Sequence, residues 1–251
     1  MLKKILTVVF LLIVITGISQ QQVSDSIVRA PMININFGMQ MPGDDLAERY
    51  GISTSAGGSF LYKTANNWLL GAEFNYIFSE NVKNESEILS NITTSQGAII
   101  DGNGQFTEVY YHQRGFYTNL LAGKLFPVIG PNANSGLFFT TGIGLLQHRT
   151  RIENPGNKAP QISHEYEKGY DRLTNGLAVS EFFGYLHMGS NRLSSFYIGV
   201  ELIQAWTKPR RDYNFKTMQK DTGERFDSLY GLRIGWVIPL YGKSSDQYYY
   251  Y

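Results

Sequence analysis

The chain has 251 residues, with 22 Lys+Arg against 21 Asp+Glu and no cysteine. That charge balance gives no electrostatic case for nucleic acid, and the missing cysteines exclude disulfides, thiolate metal sites, cysteine nucleophiles and a lipoprotein acylation site together. Tyr 17, Phe 15 and Gly 26 make a chain rich in aromatics and glycine; its slightly negative mean hydropathy is compatible with a membrane barrel, which hides only alternate residues in lipid.

Residues 1–20, MLKKILTVVFLLIVITGISQ, open with Lys3 and Lys4, continue through an apolar run and end in small residues. The pattern is a secretory signal peptide, too short in its apolar run for a comfortable transmembrane helix. Without those two lysines the balance is 20 Lys+Arg to 21 Asp+Glu. No other stretch is apolar for the length that a helical span needs.

The remainder reads as strands. Residues 32–41, MININFGMQM, alternate Ile33, Ile35, Phe37, Met39 and Met41 with Asn34, Asn36, Gly38 and Gln40, a strict period of two. Pro42-Gly43 ends this strand, and 44–50 (DDLAERY) predicts one helical turn. Strand 2 is expected near 55–64, with Gly57, Ser59, Leu61 and Lys63 on one face. Strand 3 spans about 68–78, with Leu69, Gly71, Glu73, Asn75 and Ile77 opposite Leu70, Ala72, Phe74, Tyr76 and Phe78. After a long polar stretch comes strand 4 at 110–126, then a Pro/Gly/Asn turn, then strand 5 at 137–149. Strand 6 falls near 173–188, with Gly176, Glu181, Phe183 and Tyr185 as its expected inward set. Strand 7, near 194–206, turns Phe196, Ile198, Val200 and Leu202 outward and Tyr197, Gly199, Glu201 and Ile203 inward. Strand 8, 226–241, places Tyr230, Leu232, Ile234, Trp236, Ile238 and Leu240 on one face and Gly231, Arg233, Gly235, Val237 and Pro239 on the other.

On that last strand the charge shares a face with the glycines, so the apolar face points outward to lipid and the polar face inward. The connections alternate long and short, and the short class falls near Ala65, Pro127 and Gly189. Together these features predict an all-β protein, an eight-stranded antiparallel transmembrane β-barrel over 21–241 with long extracellular loops and short periplasmic turns, in the bacterial outer membrane. Residues 242–251, GKSSDQYYYY, follow as a periplasmic tyrosine-rich tail.

An interior charge network of Lys63, Glu73, Glu201 and Arg233 is expected, paired Lys63 with Glu73 and Glu201 with Arg233 across neighbouring strands, because buried charges must be paired. Eight strands leave room for side chains and little else, so the network reads as a plug. Aromatics fall at two rims: Tyr62, Trp68 and Tyr241 on the periplasmic side, Tyr110, Tyr111 and Trp206 on the outer side. No GxSxG, HExxH or P-loop occurs. His148, His164 and Glu165 have no metal-ligand spacing, and Ser163-His164-Glu165 are adjacent and cannot form a triad by themselves. No catalytic residue, metal or cofactor is therefore expected. A basic loop over 207–224 carries Lys208, Arg210, Arg211, Lys216 and Lys220 and suits either solvent or lipopolysaccharide phosphates. Tyr248, Tyr249, Tyr250 and Tyr251 offer large contact area at low entropic cost, a docking or insertion signal on the periplasmic side.

The end of the leader near Ile18-Ser19-Gln20, the closing sequence GLRIGWVIPLY at 231–241 and the tyrosine tail resemble small, OmpA-like outer-membrane barrels of Bacteroidota. PorG-like barrels of the type IX secretion system are similar in size and architecture, and that resemblance implies a role in anchoring a periplasmic ring. The expected function is a non-enzymatic anchor or docking subunit of an envelope or secretion complex. Its expected partners are outer-membrane lipid and lipopolysaccharide, the barrel-assembly machinery and a periplasmic or outer-membrane protein. A narrow channel for small solutes is the alternative; a lipid-modifying enzyme is a third, for which no motif matches.

Overall fold

The computed structural model describes residues 27–163, 165–189 and 192–240; the expected leader, Tyr241 and the tail, including Tyr248–Tyr251, lie outside them. Eight strands carry the fold: β1 (Ala30–Gly43), β2 (Ser53–Lys63), β3 (Trp68–Ser79), β4 (Tyr110–Phe126), β5 (Gly136–Glu153), β6 (Thr174–His187), β7 (Phe196–Pro209) and β8 (Arg225–Pro239). Each pairs antiparallel with its sequence neighbours, and β1 closes the barrel on β8 from Met32↔Pro239 to Gly43↔Ser228. The closed barrel therefore has no free edge. The predicted helical turn is present as Asp44–Ala47, packed on β1 and β8.

Period-two patterning becomes two surfaces. On β1 Ile33, Ile35, Phe37, Met39 and Met41 are exposed, while Met32, Asn34, Asn36 and Gln40 are buried. On β8 Tyr230, Leu232, Ile234 and Trp236 are exposed, while Leu229, Arg233 and Val237 are buried. The same exposed apolar face continues through Leu70 and Phe74, Leu120, Ile143 and Leu145, and Ile198 and Val200. A closed barrel wearing an apolar belt satisfies every requirement of hydrocarbon: paired backbone and apolar contact. The structure is that of an integral transmembrane β-barrel, as an outer-membrane location requires. At the rims Tyr62, Trp68, Tyr110 and Trp206 are exposed as expected; Tyr111 instead turns toward the cap and packs against its apolar cluster. The Trp236 indole N–H donates to the Leu193 carbonyl at 2.9 Å, fixing the last strand to a periplasmic turn.

Strand β6 departs from expectation. Thr174, Gly176, Ala178, Ser180, Phe182, Gly184 and Leu186 point inward, and Glu181, Phe183 and Tyr185 point outward. An uninterrupted strand cannot turn both Gly176 and Glu181 inward, because they differ in parity, and β6 pairs without interruption on both sides.

The interior is layered rather than polar throughout. An apolar cluster fills the periplasmic half, with Met32, Leu61, Leu69, Leu125, Phe138, Phe182 and Val237 among its members. A second fills the outer mouth, where Leu46, Tyr50, Val82, Ile88, Leu89, Ile99 and Ile162 from the loops meet Ile77, Tyr117, Leu146 and Leu229 from the strands. The long loops thus form an ordered cap, which includes a small ribbon pairing Ile99–Ile100 with Phe106–Thr107. Between the two apolar layers lie the charges.

Candidate functional site

Arg233 is the centre of the middle layer. Its Nη1 lies 2.7 Å from Glu73 Oε2 and 2.8 Å from Glu201 Oε1, and all three side chains are buried. Its guanidinium carbon sits 4.6 Å from the Phe182 ring centre and 5.9 Å from that of Tyr197, which adds cation–π attraction in a water-poor interior. Glycines make the room. A Cβ on Gly235 would come within 2.2 Å of the Tyr197 ring, and one on Gly199 within 2.6 Å of Phe182. The small inward residues of β7 and β8 are the mould into which the two rings fit.

One cation facing two carboxylates leaves a surplus of negative charge, and neutral donors spread it. Tyr117 donates its hydroxyl to Glu201 at 3.1 and 3.2 Å, and the Gln40 amide donates to the same carboxylate at 3.2 Å. Asn119 donates to Glu73 at 2.8 Å and Asn75 at 3.4 Å. Bonds to an ionised acceptor are the strong class, so the acids are held by Arg233 and by a shell of four donors from β1, β3 and β4.

Of the predicted quartet, Glu73, Glu201 and Arg233 come together, and the Glu201–Arg233 pair forms. The Lys63–Glu73 pair does not. Register places Lys63 across from Leu69 and Glu73 across from Ser59, an offset of four residues or roughly 13 Å along the strand. Lys63 instead donates to the Val28 carbonyl at 3.1 Å and to Asn134 Oδ1 at 2.9 Å. Val28 N–H donates to that same Oδ1 at 2.9 Å. Lys63 is therefore a clasp at the periplasmic floor, holding the segment before β1 to the turn between β4 and β5.

A third polar group sits at the outer end. His148 Nε2 and Asp227 Oδ2 are 2.9 Å apart, Thr207 donates to the same Oδ2 at 2.5 Å, and Tyr50 OH meets Thr150 Oγ1 at 2.9 Å. The Tyr50 ring stands edge-on to His148, with centroids 5.7 Å apart. His148 is thus occupied by an aspartate from the opposite end of the chain; His164 lies outside the described residues. Among the described residues no three His, Cys, Asp or Glu side chains are placed to hold a metal ion. Inward parity marks Gln40 and Asp227 in the sequence, since Gln40 shares the polar face of Asn34 and Asn36 and Asp227 that of Arg233.

The lumen is shut. The cavity beside Arg233, lined also by Met32, Leu69, Phe138 and Tyr197, measures about 20 Å³, room for about one water. No protein-family model matches the chain, and no curated protein matches it. Among solved structures it is similar to Neisserial surface protein A, with 10% identity over 84% of this chain and 97% of that one and a TM-score of 0.42. It is also similar to Ail, the attachment invasion locus protein of Yersinia pestis, with 10% identity over 83% and 98% and a TM-score of 0.40. A third is the N-terminal β-barrel domain of Pseudomonas aeruginosa OprF, with 12% identity over 84% and 99% and a TM-score of 0.36. These likenesses are to small barrels, and none bears on the Bacteroidota or PorG-like resemblance.

Proposed function

We propose that the protein is a non-enzymatic structural anchor or docking subunit of an envelope or secretion complex in the outer membrane. The observation that carries this reading is the sealed lumen: a bonded ionic layer between two apolar layers leaves the barrel's ends and outer surface as its working parts. The tyrosine tail, the PorG-like resemblance and the ordered cap support the same reading. Lipid and lipopolysaccharide surround the belt, and the barrel-assembly machinery inserts it. The test is site-specific cross-linking from the tail in native outer membranes. A defined partner that is captured by the full chain and lost when Tyr248–Tyr251 are deleted is the expected result; an unchanged cross-linking pattern and unchanged envelope assembly would sink the docking role.

A narrow channel is favoured by one observation. The Asn36 amide and Arg233 Nε are buried inside the barrel without a hydrogen-bond partner, and so, nearer the outer mouth, is the Gln113 amide. Planar bilayers separate the two readings: silence is expected of the sealed barrel, and conductance that disappears in Glu201→Ala or Arg233→Ala would establish the channel.

A further inference from the structure

At the outer face three separate loops bring cations into one cleft of about 490 Å³. Arg49 comes from the β1–β2 connection, Arg172 from the end of the β5–β6 connection, Lys216 and Lys220 from the β7–β8 connection, and Arg225 from the first position of β8. Asp221 is the acid that lines it. We propose that this cleft binds a multiply charged oxyanion, the phosphate or sulfate ester group of a carbohydrate. The proposal concerns the outer face and is independent of the docking role argued for the periplasmic side.

The cations are only partly neutralised from within. Arg225 Nη2 contacts Asp221 at 2.5 Å, but its Nη1 is buried with no hydrogen-bond partner. Arg49 Nη1 reaches the Thr174 hydroxyl at 3.3 Å, a bond to a neutral group. Lys216 is held by Glu87 at 2.5 Å. Among the described residues the Arg172 guanidinium makes neither an ion pair nor a hydrogen bond. The neighbouring acids are already taken: Asp171 by Arg211 and, at 3.7 Å, by Arg149, and Asp227 by His148 and Thr207.

Two further observations fit a site prepared for an anion. Burial, and then the nearby Arg225, push the Arg49 guanidinium below its ordinary value; burial does the same to Arg172, with Arg225 adding to it. Arg172 also holds φ at +51°, a left-handed conformation that a long side chain rarely adopts. Like charges crowded at low exposure and a strained backbone recur where a protein prepares a site. Arginine suits the ligand class, because its planar fork matches tetrahedral oxyanions in pairs of bonds. The cleft opens above the barrel mouth, with Arg49 reaching the inward-facing Thr174.

Calorimetric titration of the full-chain barrel in zwitterionic detergent, with pyrophosphate and with inositol hexakisphosphate, tests the proposal. Saturable binding at one site is expected, weakening as salt rises and falling at least tenfold in Arg172→Ala and in Arg225→Ala. Arg172→Lys keeps the charge and controls for folding, as does heat-modifiable electrophoretic mobility of each variant. Lys208→Ala removes a cation outside the cleft, one engaged with Glu224, and is expected to leave affinity unchanged. Absence of binding, or equal losses in Lys208→Ala and Arg172→Ala, would overturn the site. Competition then identifies the source: displacement by lipopolysaccharide in vesicles assigns a membrane-borne phosphate, and displacement by soluble sulfated or phosphorylated saccharide alone assigns a ligand from the medium.

Discussion

The barrel holds two clusters of arginine, and they are built on opposite terms. At the centre one guanidinium faces two carboxylates at 2.7 and 2.8 Å and two aromatic rings, and the leftover negative charge is spread over Tyr117, Gln40, Asn119 and Asn75. At the mouth Arg49, Arg172 and Arg225 share one lining acid, and Arg225 Nη1 has no partner at all. The central cluster is complete within the chain; the outer one is short of anions. Burial alone does not separate a structural charge from a binding charge. What separates them is whether the surrounding side chains already supply the counter-charge.

The largest effect is expected from breaking the complete cluster. Arg233→Met removes the cation and leaves Glu73 and Glu201 buried side by side, a change of the kind that costs about 3–5 kcal/mol. Denaturant unfolding in lipid vesicles, followed by tryptophan fluorescence, measures it, and a loss under about 1 kcal/mol would show that the acids are neutralised some other way. Replacing all three residues with apolar ones of similar volume should restore most of that stability, because an apolar layer avoids the desolvation cost of the ions. Glu201→Gln should cost less than half as much as Arg233→Met, since Arg233 keeps Glu73 and the surplus charge disappears. If Glu201→Gln is instead the more damaging change, the donors on Tyr117 and Gln40 matter more than the cation.

Much of this is legible in the sequence. Eight strands, their order, the outward belt and the inward placement of Lys63, Glu73, Glu201 and Arg233 follow from period-two patterning and turn spacing. The partners were less legible. Parity says which face a residue takes, but register says how far along the barrel it sits, and the turn at 64–67 sets Lys63 level with Leu69 instead of Glu73. Strand β6 differs from its sequence expectation because the charge of Glu181 suggests an inward face and because Phe182 and Phe183 are adjacent and equally apolar, so neither face stands out. The cap was least legible, since its clusters come from loops with no periodicity to read.

The difference on β6 carries the next prediction. Glu181 faces outward between Thr141 and Leu202, on a strand whose level runs from Trp206, opposite Leu177, to Phe196, opposite His187. Exposed Phe183 and Val200 adjoin it, so a carboxyl group stands in the lipid belt. Glu181→Leu should stabilise the barrel in vesicles by about 1 kcal/mol, since acidic residues on the lipid face cost less than the basic ones but still cost. A loss of stability would mean that this face is covered by a polar partner in the membrane.

The smallest effect belongs to the mouth, and it has two signs. Arg172 holds its left-handed φ of +51° without the glycine that would adopt it freely. Arg172→Gly removes that strain and one of the crowded cations, and is expected to raise stability by a few tenths to about 1 kcal/mol. The same change should weaken oxyanion binding at least tenfold, as Arg172→Ala does. Unfolding midpoints with and without inositol hexakisphosphate read both effects on one sample: the variant should unfold later than the parent in buffer and gain less from the anion. A variant that is more stable and binds equally well would make Arg172 a bystander to the cleft. One that is less stable would show that the side chain supports the loop, and the contrast between a complete centre and an incomplete mouth would then rest on Arg49 and Arg225.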